Sequence, residues 1–99
     1  MSDYTNEAQQ RILRLVQTLA GHEMHGLKPG EIAKAQGCSA PMVTRDLANL
    51  VEAGLAEQVP ATQGWRLGPA LVQIALKYST GISSQRTRLE ETENRFTRS

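Results

Sequence analysis

The sequence predicts a mainly α-helical fold with one small β-hairpin and a further helix at the C-terminal end. Three observations carry this. Apolar residues recur at three- and four-residue steps in successive segments up to Ala53, which is the helical period. Those segments are closed by Gly21, Gly37 and Gly54, and glycine is a common stop for a helix. After Gly54 the pattern shortens into two brief stretches around Pro60-Ala61-Thr62-Gln63-Gly64, the mark of strand, turn and strand.

The first helix is expected over Asn6 to Ala20, with Thr5 as N-cap and Ala8, Ile12, Leu15, Val16 and Leu19 on its apolar face. His22 to Gly26 reads as a polar loop. A short second helix fits Pro29 to Gln36, because proline suits a first turn whose N–H has no helical partner. Ile32, Ala33 and Ala35 give it a small apolar face. Ser39 then offers a capping oxygen to a third helix reaching about Ala53. Val43, Leu47, Leu50 and Val51 line its inner side, and Pro41, Arg45, Ala48, Asn49 and Glu52 lie opposite, with Met42 beside them. Leu55 to Val59 and Trp65 to Leu67 are the two strands, the first limited by Pro60. Gly68-Pro69 opens a last helix, apolar on most sides through Tyr78.

A chain of 99 residues supports one core and no separate second domain. Its 39% apolar and 21% charged residues are those of an ordinary globular protein. No apolar run approaches the roughly 20 residues of a membrane span. The polar start MSDYTNEAQQ has no basic and apolar leader pattern, so no secretory signal is expected. Cys38 is the single cysteine, which excludes an internal disulfide framework and a cysteine-based zinc cluster. A cytoplasmic location follows as the expectation. The net charge of +1 does not itself point to nucleic acid, so a DNA-binding reading must rest on geometry and on where the charges sit.

A short helix, a turn at Gly37-Cys38-Ser39 and a longer helix make a helix-turn-helix. The hairpin that follows makes it a winged helix-turn-helix. Such a unit reads DNA by presenting the first turn and outer face of one helix to a major groove about 12 Å wide. The stretch Leu27 to Tyr78 resembles the N-terminal winged-helix domain of IclR-type transcriptional regulators. The residues that carry the resemblance are Glu31-Ile32-Ala33 with Gly37, then Val43, Arg45, Leu47 and Leu50, then Glu52-Ala53-Gly54-Leu55. The most specific piece is Trp65-Arg66-Leu67-Gly68-Pro69-Ala70-Leu71, which is similar to the family's passage from wing to linker helix. The resemblance implies a bacterial or phage regulator that binds double-stranded DNA. Two departures stand out. The family often has small hydroxyl residues where this chain has Pro41-Met42, and its large effector-binding domain has no counterpart here, so a regulator standing alone, without small-molecule sensing, is expected.

With the recognition helix at about 40–53 and the wing at about 55–67, the candidate DNA contacts are named readily. Arg45 lies mid-face and can address guanine in bidentate fashion, or else pair with Asp46 or Asn49. Ser39 caps the helix and can also hold phosphate. Ala40, Pro41 and Met42 lie where the helix enters the groove, and Ala40 and Met42 suit thymine methyls. Met42 equally suits the edge of the core. Thr44 suits phosphate and Asn49 suits adenine. Lys28 and the N–H groups after Pro29 form a helix start suited to phosphate. Thr62, Gln63 and Arg66 are the wing candidates. Trp65 reads as a residue sealing the wing, and Asp46, Glu52 and Glu57 count against DNA binding or else oppose non-specific binding. Cys38 reads as a structural thiol. His22-Glu23-Met24-His25 has its histidines three apart in a loop, whereas a zinc-protease helix needs them four apart. No catalytic set, metal site or cofactor is therefore expected, and the chain is not expected to be an enzyme.

Residues 1–79 are expected to form the DNA-binding domain and 80–99 a C-terminal helical extension or tail. Ile82, Leu89 and Phe96 are seven apart, with Ala75 in the same register and Leu71 and Tyr78 in the companion one. Gln85 and Thr92 weaken that companion line. Gly81 with Thr80, Ser83 and Ser84 favours an interruption after Tyr78, while alternating arginines and glutamates favour a helix. One reading is a helix that makes a homodimer through Tyr78, Ile82, Leu89 and Phe96. The other is a solvated tail. Beside the regulator stands a second function: a winged helix that binds a protein partner and no DNA.

Overall fold

The computed structural model describes residues 4–97. Four helices and one hairpin follow in the order α1 (Glu7–Leu19), α2 (Pro29–Gln36), α3 (Ala40–Glu52), β1 (Ala56–Gln58), β2 (Trp65–Leu67) and α4 (Pro69–Thr97). The N-cap of α1 is Asn6, one residue beyond the expected Thr5, because its side-chain oxygen accepts the Gln9 N–H at 3.1 Å. The helix stops at Leu19, and Gly21 turns the chain with a φ of +88°.

The core forms where α1, α2 and α3 meet. Leu15, Leu19, Ile32, Val43, Leu47, Leu50 and Ala56 are buried together. Each of the Leu, Ile and Val side chains contributes about 1.5–3 kcal/mol relative to exposure. Leu27, Cys38 and Trp65 pack against this cluster half-buried. Val51 departs from expectation: it is 42% exposed. The inner stripe of α3 runs through Val43, Asp46, Leu47 and Leu50, which is the tighter i, i+3, i+4, i+7 face, and Val51 lies just beyond it.

Between α2 and α3, Gly37 takes the left-handed conformation at φ 65° and ψ 38°. That lets the Cys38 N–H reach the Ala33 carbonyl at 3.1 Å. The Gln36 side chain ties this turn to α1. It accepts from the Thr18 hydroxyl at 2.8 Å and donates to the Arg11 carbonyl at 2.9 Å.

The hairpin is antiparallel, pairing Ala56 with Leu67, Glu57 with Arg66 and Gln58 with Trp65. β1 is shorter than the expected Leu55–Val59. A single bridge from Leu27 to Trp65 lays the loop before α2 along β2, with N···O distances of 2.8 and 2.7 Å. This is possible because Gly26 and Gly64 pass with their backbones in contact. A Cβ at Gly64 would stand 2.6 Å from the His25 oxygen.

Of the two readings of the segment after Tyr78, the structure shows the helix. No interruption follows Tyr78, and α4 is continuous over 29 residues, straight through Gly81. A glycine inside a helix costs about 1 kcal/mol relative to alanine, too little to stop a long segment without proline, since propagation is cooperative. The helix docks only through its first turn. The Gly68 N–H donates to Leu55 O at 2.9 Å and the Ala70 N–H to Gly54 O at 3.2 Å. From Val72 to Phe96 every residue is exposed. The radius of gyration is 19.3 Å, against about 13 Å for a compact chain of this length, because α4 projects from the domain. Among the described residues no helix is long and apolar enough to cross a membrane.

Candidate nucleic-acid interface

The outer face of α3 is built by what holds its inner face. Asp46 is a carboxylate on the buried stripe, 4% exposed, and such a charge is costly without a partner. Arg11 of α1 supplies one in a two-pronged contact, Nε to Oδ2 at 2.6 Å and Nη2 to Oδ1 at 2.9 Å. This fork geometry is the strong form of the pair. The hydrogen bond to Asp46 and its charge hold the Arg11 guanidinium above the ordinary arginine range, against the opposing effect of desolvation. With the buried Val43, Leu47 and Leu50 on the same stripe, the pair helps to hold which side of α3 faces inward, and so which residues face outward.

Those residues are Ala40, Pro41, Met42, Thr44, Arg45, Ala48 and Asn49, all exposed. The pairing of Arg45 with Asp46 weighed above does not form, because Arg11 occupies that carboxylate. Asn49 Nδ2 donates to the Arg45 backbone oxygen at 2.9 Å, leaving the guanidinium of Arg45 without an ion pair among the described residues. Ser39 Oγ accepts the Met42 N–H at 3.4 Å, a long capping bond. The Thr44 hydroxyl donates back to Ala40 O at 3.1 Å. Met42, 39% exposed, borders an open groove of about 540 Å³ that Arg11, Arg14, Cys38 and Ser39 also line.

The remaining candidates lie apart from α3 or are engaged. The Lys28 N–H is taken by Glu31 Oε1 at 2.9 Å, so a carboxylate already stands at the start of α2 where a phosphate was expected. Thr62 donates its hydroxyl to the His25 carbonyl and accepts the Gly64 N–H at 3.2 Å. Gln63, at φ 63°, folds its side chain onto the Pro60 oxygen at 3.1 Å. Arg66 pairs with Glu57 at 2.8 Å and donates to the Glu23 carbonyl at 3.2 Å. The wing candidates are thus tied into the hairpin and the loop beside it. Glu57, like Asp46, is a partner of an arginine rather than an isolated negative charge.

Arg11 was not among the residues expected to matter. Its signal was the acidic residue on the inner stripe of α3, which requires a cation from another element. Arg14, weakly paired with Glu7 at 3.6 Å, is a further cation beside the helix-turn-helix turn. Among the described residues no cluster of histidine, cysteine, aspartate and glutamate fits a metal ion. Tyr78, Ile82, Leu89 and Phe96 stand well away from this face along α4, exposed by 73%, 45%, 60% and 77%.

Two solved structures resemble this arrangement. An IclR transcriptional regulator from Alicyclobacillus acidocaldarius matches with a TM-score of 0.67 and 21% identity, over 76% of this chain and 30% of its own. A protein from a Silicibacter species, assigned as an IclR transcriptional regulator, matches with a TM-score of 0.66 and 25% identity, over 81% of this chain and 32% of its own. This chain therefore spans about a third of the length of either. No family model matches the sequence, and no curated protein does. The three packed helices, the two-stranded hairpin and the long final helix are together a winged helix-turn-helix of the kind found in IclR-type regulators.

Proposed function

We propose that this chain is a sequence-specific DNA-binding transcriptional regulator that acts as a homodimer in the bacterial or phage cytoplasm. α3 enters the major groove, and the hairpin lies over the adjacent backbone. The observation that carries the reading is the contrast across α3. Its inner face is held by Val43, Leu47, Leu50 and the Arg11–Asp46 pair, while Arg45 has no ion pair among the described residues and stands on an exposed outer face. The likeness to solved IclR regulators supports the same reading.

In this reading Arg45 contacts a guanine or a phosphate. Asn49 offers its side-chain oxygen, and Ala40, Pro41 and Met42 meet base edges or methyl groups. Ser39 and Thr44 lie beside the phosphates. Lys28, Thr62 and Gln63 serve as peripheral contacts, and Arg66 joins them only by leaving Glu57. Residues 1–79 do the reading. The segment 80–99, of which residues up to 97 continue α4, serves pairing through Ile82, Leu89 and Phe96, together with Tyr78.

The test is fluorescence anisotropy on a randomised DNA pool and its selected sites, across a salt series. An enriched site should appear, with a log–log salt slope of about −0.9 per phosphate contacted. Arg45→Ala should weaken that site by roughly 1–3 kcal/mol and leave the melting temperature unchanged, since its side chain has no partner to lose. A second reading, a protein-binding winged helix, draws on the near-neutral charge of +1. It requires that no site be enriched and that Arg45→Ala change nothing on DNA.

A further inference from the structure

We infer that α4 pairs with α4 of a second copy as a parallel, in-register two-stranded coiled coil. This rests on the dimeric reading above and adds its orientation and register. The helix is exposed from Val72 to Phe96 and carries a seven-residue apolar line. With Ala75, Ile82, Leu89 and Phe96 at position a, Leu71, Tyr78, Gln85 and Thr92 fall at d. Ile at a is suited to two strands. Val72 and Ile74 flank the seam at its start, so it is broadest where the helix leaves the domain.

The polar residues at d decide the orientation. In a parallel pair, d faces d. Gln85 then meets the partner's Gln85, and two amides supply each other with donor and acceptor. Thr92 meets the partner's Thr92. In an antiparallel pair every d faces an a. Gln85 would then lie against Ala75, Ile82, Leu89 or Phe96 in any register, a polar amide against apolar side chains with no partner.

The flanking charges are compatible with the parallel pair. In a parallel pair, position g reaches position e of the next heptad on the other strand. Arg88 at g then meets the partner's Glu93 at e, and symmetry makes the contact twice. In an antiparallel pair g faces g. That set is Ile74, Gly81, Arg88 and Arg95, which contains no attractive pair, but e then faces e and Arg86 can meet the partner's Glu93, so the polar residues at d and not the charges decide the orientation. Because the first turn of α4 is bonded to Gly54 and Leu55, a parallel pair puts both α3 helices at the same end. That is what a two-fold symmetric DNA site requires.

Cysteine cross-linking of the full-length chain, without DNA, tests this. In a Cys38→Ser background, Thr92→Cys should give a covalent dimer on mild oxidation or with a short bis-maleimide. Thr87→Cys, on the outer side, should not. Arg88→Glu should raise the dimer dissociation constant several-fold in sedimentation equilibrium, and adding Glu93→Arg should restore it. A chain that sediments as a monomer at tens of micromolar overturns the inference. So does a cross-link that forms only between Ala75→Cys and Thr92→Cys chains in a mixture, the antiparallel result. DNA binding is read separately by anisotropy, so a monomer that still selects a site would sink the coiled coil and leave the regulator standing.

Discussion

Replacing Gly64 by alanine tests how the hairpin is held. The added methyl would stand 2.6 Å from the His25 oxygen, 2.9 Å from Gly26 C and 3.1 Å from Gly26 Cα. All three are backbone atoms, and none is the mobile end of a side chain. Gly64 has no positive φ, so the effect is steric and owes nothing to a special backbone conformation. The segment opposite has little room to retreat, because Leu27 and Trp65 exchange two hydrogen bonds just beyond it, at 2.8 and 2.7 Å. Overpacking of this kind costs about 1–3 kcal/mol. Weakening the two bridge bonds adds about 1 kcal/mol for each one lost. With one of the two bonds lost, these give about 2–4 kcal/mol. For a domain of this size, each kcal/mol lowers Tm by about 4–8 °C, so a fall of at least about 8 °C is expected. The assay is a circular dichroism melt at fixed protomer concentration, since Tm of an associating chain depends on concentration. Trp65 fluorescence should shift to the red as the indole leaves its half-buried seat. Gly30→Ala is the matched control, because a Cβ there meets nothing within 4 Å. If Gly64→Ala melts within about 2 °C of Gly30→Ala, a difference well under 1 kcal/mol on this scale, the close backbone approach does not hold the hairpin and the reasoning is wrong.

Other expected outcomes follow the same logic. Asp46→Asn should lower Tm and weaken selected-site binding together, because it removes the carboxylate that helps to hold the inner side of α3; retained affinity at lowered Tm would mean that Arg11 does not orient the outer face. Gly81→Ala should raise helix content and stabilise α4 by about 0.5–1 kcal/mol, measured by circular dichroism, since the new methyl meets nothing within 4 Å. Asn6→Ala should cost about 1 kcal/mol in a denaturant melt, and a loss of only a few tenths would mean that Asn6 is not the cap. Ser39→Ala should cost less than Asn6→Ala, because its capping bond is the longer, 3.4 against 3.1 Å.

Most of the fold was legible because it depends on local rules. The apolar spacing of α1 to α3 and the glycines after them placed the helices to within a residue or two. What escaped the sequence was set by partners far along the chain. Asp46 reads as a surface charge until α1 brings Arg11 to it, across 35 positions. Arg66 reads as a free cation until pairing in the hairpin sets Glu57 beside it. Lys28 reads as a phosphate seat until Glu31 closes on its N–H. Gly81 left two readings open, and its local preference is outweighed by the helix on either side. Arg45 was legible as an outward residue because its position depends only on helix geometry. The identity of what it touches has no counterpart within a single chain.

The joint at Gly54 and Gly68 makes α4 a lever with very unequal arms. Gly68 is pressed against the backbone there, where a Cβ would stand 2.7 Å from the Gly54 oxygen, so the fulcrum is stiff. At 1.5 Å per residue the long arm is about 43 Å. A tilt of about 5° at the joint moves its far end by about 4 Å, while a helix face lying about 10 Å from the fulcrum moves less than about 1 Å. Strain applied near Phe96 therefore reaches α3 geared down, as a fine adjustment of its pitch.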